Sequence, residues 1–103
     1  MTTHENILQD IKKAVLSVDA AADVLLFGSR ARGDFNEESD WDVLILTNEE
    51  VKDSVRLAYI GALLPFEIKY AAAINLVIKN KVEWRKQANT DLFVNIQLDG
   101  VVL

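Results

Sequence analysis

Two short runs of uninterrupted apolar residues, Val24–Phe27 and Val43–Leu46, restrict this chain more than any other feature. Runs of that length without polar alternation suit strands covered on both faces, so helices must supply the cover. The first run stops at Gly28, and the second strand opens at Trp41. Upstream, Thr2-x-x-Glu5 has capping-box spacing, and Ile7, Leu8, Ile11, Val15 and Val18 recur at helical intervals, which predicts a helix to about Asp19. Downstream, Asn48 is the expected N-cap of a helix from Glu49 to roughly Leu64, with Val51, Val55, Ala58 and Ala62 inward. Pro65 should kink or end that helix, with Phe66–Ala72 able to continue it. Ile74–Lys79 reads as a third strand, Val82–Gln87 and Thr90–Gln97 as short helices, and Val101–Leu103 as a terminal strand stub. The order predicts a mixed α/β domain spanning residues 1–103, with helices flanking a small mixed sheet.

Composition narrows the function classes. A chain of 103 residues closes one core and leaves little surface for a second module. No cysteine is present, which excludes disulfides and thiolate metal sites. The net charge of −5 argues against nucleic acid as the main ligand, because backbone phosphate binding needs clustered Lys and Arg. A free nucleotide is different, since a divalent ion and a few main-chain N–H groups can hold its phosphates. Neither a secretory leader nor a membrane-length apolar segment is expected, so the cytoplasm is the default location.

The chemistry is concentrated in Gly28-Ser29-Arg30-Ala31-Arg32-Gly33-Asp34 and Ser39-Asp40-Trp41-Asp42. The glycine spacing is that of a P-loop, but Asp34 and Phe35 stand where Lys and Ser/Thr are required. A calcium loop starting at Asp34 fails at Ser39, where glycine belongs, and at Ile45, where glutamate belongs. If the two apolar strands pair antiparallel, Gly28-Ser29 lies beside Asp40 and Asp42. Alternation along a strand then directs both carboxylates to one face and Trp41 to the other. Such a pair can share Mg²⁺ completed by substrate phosphates and water. Glycine permits a tight turn and close approach of a phosphate, and Ser29 adds a hydroxyl donor.

Gly-Ser, ten residues, then Asp-x-Asp resembles the signature of the DNA polymerase beta-like nucleotidyltransferase superfamily. The fuller GSRARGD and SDWDVLIL resemble its minimal, antitoxin-type single-domain branch, encoded beside HEPN-domain toxins. That resemblance implies a nucleotidyltransferase fold and Mg²⁺-dependent transfer of a nucleotidyl group, usually adenylyl from ATP, to a hydroxyl, with pyrophosphate leaving. In antitoxin-like members the acceptor is a tyrosine of the partner toxin, which implies a hetero-oligomer. Gly28 and Ser29 would bind triphosphate, and Asp40 and Asp42 would be the catalytic metal ligands. Arg30 and Arg32 would be phosphate contacts, or else surface counter-charges to Asp34, Glu37 and Glu38.

The superfamily's third carboxylate aligns with Asn75, and asparagine cannot take a proton at neutral pH. Either another acid substitutes, with Glu67 the nearest in sequence, or metal alone activates the acceptor. The third option is a degenerate domain that binds nucleotide or a partner without turnover. His4 is expected at a fraying terminus, and Trp41 and Trp84 in the core.

Overall fold

The computed structural model describes residues 2–103. Helix α1 (Thr3–Val18) is followed by strand β1 (Asp23–Phe27), the short helix α2 (Ser29–Arg32) and strand β2 (Trp41–Thr47). Helix α3 (Asp53–Tyr70), strand β3 (Ile74–Asn80), helices α4 (Lys81–Arg85) and α5 (Asp91–Asp99), and strand β4 (Val101–Val102) complete the chain. The four strands form one mixed sheet in the order β3-β2-β1-β4. β1 runs antiparallel to β2 and to β4, whereas β2 and β3 are parallel.

Residue alternation sorts the sheet into two faces. Val24, Leu26, Trp41, Val43, Ile45 and Ile78 pack under α1 and α3, against Ile7, Ile11, Val15, Tyr59 and Leu63. Leu44 packs on the other face with Trp84 of α4 and Ile96 of α5, joined by Leu25, Phe27 and Phe93. Both apolar runs are therefore covered from two sides. Among the described residues no helix is long and apolar enough to cross a membrane.

The N-cap of α1 is Thr2, whose hydroxyl accepts from the Glu5 amide at 3.2 Å. Thr90 caps α5 in the same way, accepting from Phe93 N–H. The expected start of α3 at Glu49 is wrong. The helix opens at Asp53 after Lys52, with no side-chain cap. Residues 48–52 are diverted because other partners take their polar groups. Asn80 Nδ2 donates to the carbonyls of Asn48 and Glu49, and Thr47 Oγ1 accepts from the Glu49 amide.

Pro65 does not end α3 and lies inside it. Proline removes one bond to the carbonyl four residues earlier, that of Gly61. Gly61 and Pro65 both lie on the exposed side, where water can serve that carbonyl, while Tyr59 and Leu63 anchor the inner side. The buried stripe is also phased differently. Val55 and Ala62 face the core as expected, but Tyr59 occupies the buried position and Ala58 is exposed, because the ring removes far more apolar area from water.

Between α1 and α3, Tyr70 Oη and Lys69 Nζ both donate to Asp10 Oδ2. The Tyr70 hydrogen bond holds the Asp10 carboxyl below the ordinary carboxylate range, and the same bond raises the Tyr70 phenol above its usual value. A lowered acid contributes stability that is complete above its unfolded pKa and is lost as pH falls through the folded one. A raised phenol contributes stability below its unfolded pKa that is lost as pH rises through the folded one. Tyr70→Phe should therefore lower Tm at intermediate pH and reduce the further loss on acidification and on strong alkalinisation, flattening both flanks of a Tm-against-pH curve. Identical curves for variant and wild type would refute the linkage.

Candidate active site

The candidate site is assembled at one end of the sheet, where β1 ends and β2 begins. The antiparallel register sets Phe27 opposite Asp42, so Gly28, the next residue, turns the chain directly against that carboxylate. Gly28 has φ +72°, in the left-handed region that favours glycine, and a Cβ there would collide with Asp42 Oδ2. The glycine thus serves two needs, a backbone conformation and a close approach. It is the N-cap of α2, whose C-cap is Gly33, also left-handed at φ +88°. Ser29 is the first residue of α2, where the amides of Ala31 and Arg32 both donate to the Gly28 carbonyl at 3.1 Å.

Trp41 is buried and packs under α1 and α3, so alternation sets Asp42 on the opposite face, with Leu44. Asp42 is partly exposed, and Asp40 is exposed just before the strand. The parallel register of β2 and β3 pairs Asp42 with Asn75, and Asn75 Nδ2 donates to Asp42 Oδ1 at 3.2 Å. Asn75 therefore stands beside the Asp42 carboxylate. Glu67 is engaged elsewhere, since its Oε1 accepts from the Ile74 amide at 3.2 Å and closes the α3–β3 turn.

Of the two arginines, Arg32 forms an exposed ion pair with Asp34 at 3.3 Å. Arg30 turns inward over the loop between α2 and β2. It donates from Nε and Nη2 to the Ser39 carbonyl and from Nη2 to that of Glu37. Its guanidinium lies 4.5 Å from the Phe35 ring centroid and 4.3 Å from that of Trp41. His4 is not frayed: its ring stacks on Phe35 and tilts against Trp41, with centroids 5.5 and 4.8 Å away. The contribution of Phe35 and His4 was missed in the sequence. The only signal was an aromatic residue two positions beyond Gly33 in an otherwise polar loop.

A cleft of about 580 Å³ lies behind this cluster, lined by His4, Ile7, Arg30, Phe35, Trp41 and Tyr70 among others. Neither Asp40 nor Asp42 lines it.

Two carboxylates and a glycine cradle are a donor set that suits Mg²⁺, which takes hard oxygen ligands and draws the rest of its shell from phosphates and water. Among the described residues no three of His, Cys, Asp and Glu cluster into an all-protein cage. A small hard ion shared with a phosphorylated substrate needs none.

The sequence profile of the nucleotidyltransferase domain family matches residues 5–98, and the chain belongs to that family. Two archaeal proteins of Methanocaldococcus jannaschii, each named "putative protein adenylyltransferase", are similar to it. One is 32% identical over 80 residues, covering 78% of this chain and 75% of the relative. The other is 38% identical over 79 residues, covering 73% and 78%. A crystal structure of a "putative nucleotidyltransferase" from Sulfolobus solfataricus superposes with a TM-score of 0.56 at 21% identity, covering 96% of this chain and 80% of that one. The four-stranded mixed sheet with flanking helices is thus the nucleotidyltransferase fold.

Proposed function

We propose that this protein transfers an adenylyl group from ATP to a hydroxyl on a partner protein, using Mg²⁺ held by Asp40 and Asp42. The observation that carries this reading is the close approach of the Gly28 turn to the Asp42 carboxylate, which would let a phosphate at the turn and a metal ion at the carboxylate share ligands. The names of the two archaeal relatives support protein as the acceptor class.

In this reading the acceptor oxygen forms a bond to the α-phosphorus of ATP, the bond from that phosphorus to the bridging oxygen breaks, and pyrophosphate leaves. Bound Mg²⁺ supplies charge neutralisation at the phosphates. Gly28 lets the triphosphate approach the backbone, and the Ser29 amide and hydroxyl donate to its oxygens. Asn75 holds Asp42 through its N–H and cannot accept the acceptor's proton, which is lost to solvent. The acceptor fitting the antitoxin-type resemblance is a tyrosine of a HEPN-type toxin, in a hetero-oligomer that covers the open site.

Asn75 favours a second reading, a domain that binds nucleotide or its partner without turnover. Incubation with α-phosphate-labelled ATP, Mg²⁺ and the co-purifying partner separates the two. Label on the partner's hydroxyl is expected, and Asn75→Asp should raise its rate about tenfold or more by supplying a proton acceptor. Nucleotide binding with no transfer by either protein would establish the second reading. No nucleotide binding would refute both nucleotide-based forms.

A further inference from the structure

We propose that Arg30 is a positioning residue that clamps the loop carrying Asp40, and that it is not a phosphate ligand. The inference rests on the nucleotide-site reading above but on separate observations.

Arg30 immediately follows Ser29 in the phosphate turn, and its guanidinium reaches across to the residues flanking Asp40. On one side, the Ser39 carbonyl accepts from Nη2 at 3.0 Å and from Nε at 3.3 Å. On the other, the Trp41 ring lies 4.3 Å from the guanidinium carbon. The neighbours before and after the candidate metal ligand are therefore held by one planar cation. Phe35 contacts the guanidinium too, and the Glu37 carbonyl accepts a further bond. The Trp41 amide, in turn, donates to the Ala73 carbonyl at 2.9 Å, anchoring the strand entrance to the segment before β3.

The loop's own bonds are confined to Asn36–Ser39, including Glu38 N–H to Asn36 Oδ1 at 2.8 Å, and none of them holds Asp40. Asn36 and Ser39 close a small turn through Asn36 N–H to Ser39 Oγ and Ser39 N–H to the Asn36 carbonyl, all near the surface. Without the clamp, Asp40 would sit at the end of an exposed segment following Gly33 that is free to open locally. With Nε and Nη2 given to two carbonyls and the ring contacts of Phe35 and Trp41 made, the fork that would grip a phosphate is already committed to the loop. The geometry demands arginine: a lysine ammonium keeps the charge but cannot supply the planar fork or lie flat on the rings.

Two variants separate the clamp from a phosphate contact. Arg30→Lys preserves the charge that a phosphate would need, and Phe35→Ala removes a ring and no charge. Hydrogen exchange is read at the amides of Asn36, Glu38, Ser39 and Trp41, and Mg·ATP affinity by titration calorimetry. The clamp predicts about tenfold faster exchange at those amides in Arg30→Lys, with α1 and the central strands unchanged, and a smaller rise in Phe35→Ala. ATP affinity should fall about tenfold in Arg30→Lys, the lower end for removing a residue that orients a metal ligand, and should fall less in Phe35→Ala. Unchanged exchange in Arg30→Lys would overturn the clamp, whether or not ATP binds. Faster exchange with undiminished ATP affinity would overturn its role in positioning Asp40. Absence of ATP binding in the wild type counts against the nucleotide reading itself, and the exchange data then decide the clamp alone.

Discussion

Asp42→Asn should abolish nucleotidyl transfer and weaken Mg²⁺-dependent ATP binding about a hundredfold, with thermal stability within about 0.5 kcal/mol of wild type. The size of the binding effect follows from what is lost. Removing a group that merely orients a metal ligand typically costs ten- to a hundredfold in metal affinity, and Asp42 is read as a ligand itself. The fold should survive for a local reason. Asn75 donates to Asp42 Oδ1, and an asparagine carbonyl at position 42 can accept the same bond. The side chain is partly exposed, so no charge is stranded in the core. Titration calorimetry with Mg·ATP, alongside a thermal melt, reads both halves. Equal ATP affinity in variant and wild type would remove Asp42 from the site.

Gly28→Ala should be more damaging overall, because it acts on both site and fold. The backbone at φ +72° is a conformation that L side chains rarely adopt, and forcing one into it costs of order 1–3 kcal/mol. Its Cβ would also overlap Asp42 Oδ2, so the carboxylate must move or the turn must open. ATP binding should be lost, and the Tm should fall by about 4–8 °C per kcal/mol of lost stability. Gly33→Ala provides the control. That glycine is also left-handed, but nothing lies within 4 Å of its Cβ direction. Strain alone predicts a loss of about 1 kcal/mol with ATP binding retained. If Gly33→Ala abolished binding as fully as Gly28→Ala, the collision with Asp42 would not be the cause.

Antitoxin-type partnership would place the open end of the sheet against another protein. Asp40 is exposed and Asp42 partly exposed, so in that proposal the site is open for a partner to cover. The clamp made by Arg30 would then matter before assembly, by holding Asp40 in place at the exposed end of its loop.

The sequence by itself determined the two buried strands, the turn between them and the residues that meet at their ends. Continuous apolar runs have one economical use in a chain this short, and antiparallel pairing of neighbours leaves Gly28 few places other than beside Asp42. It also determined α1, whose Thr2-x-x-Glu5 spacing and helical periodicity are local signals, and a short helix over Thr90–Gln97 where α5 lies. Tertiary structure decided the rest. Asn48 looked like a cap, but Asn80, far along the chain, draws the carbonyls of Asn48 and Glu49 into a turn and delays α3 to Asp53. Pro65 looked like a helix end, yet solvent on one side and core anchors on the other let α3 run through it to Tyr70. Arg30 looked like a phosphate contact or a surface charge, and only the folded loop brought two carbonyls and two rings within its reach. Local propensity and spacing register what neighbours in sequence do to one another. Hydrogen bonds and ring contacts closed by folding depend on distances that spacing along the chain does not encode.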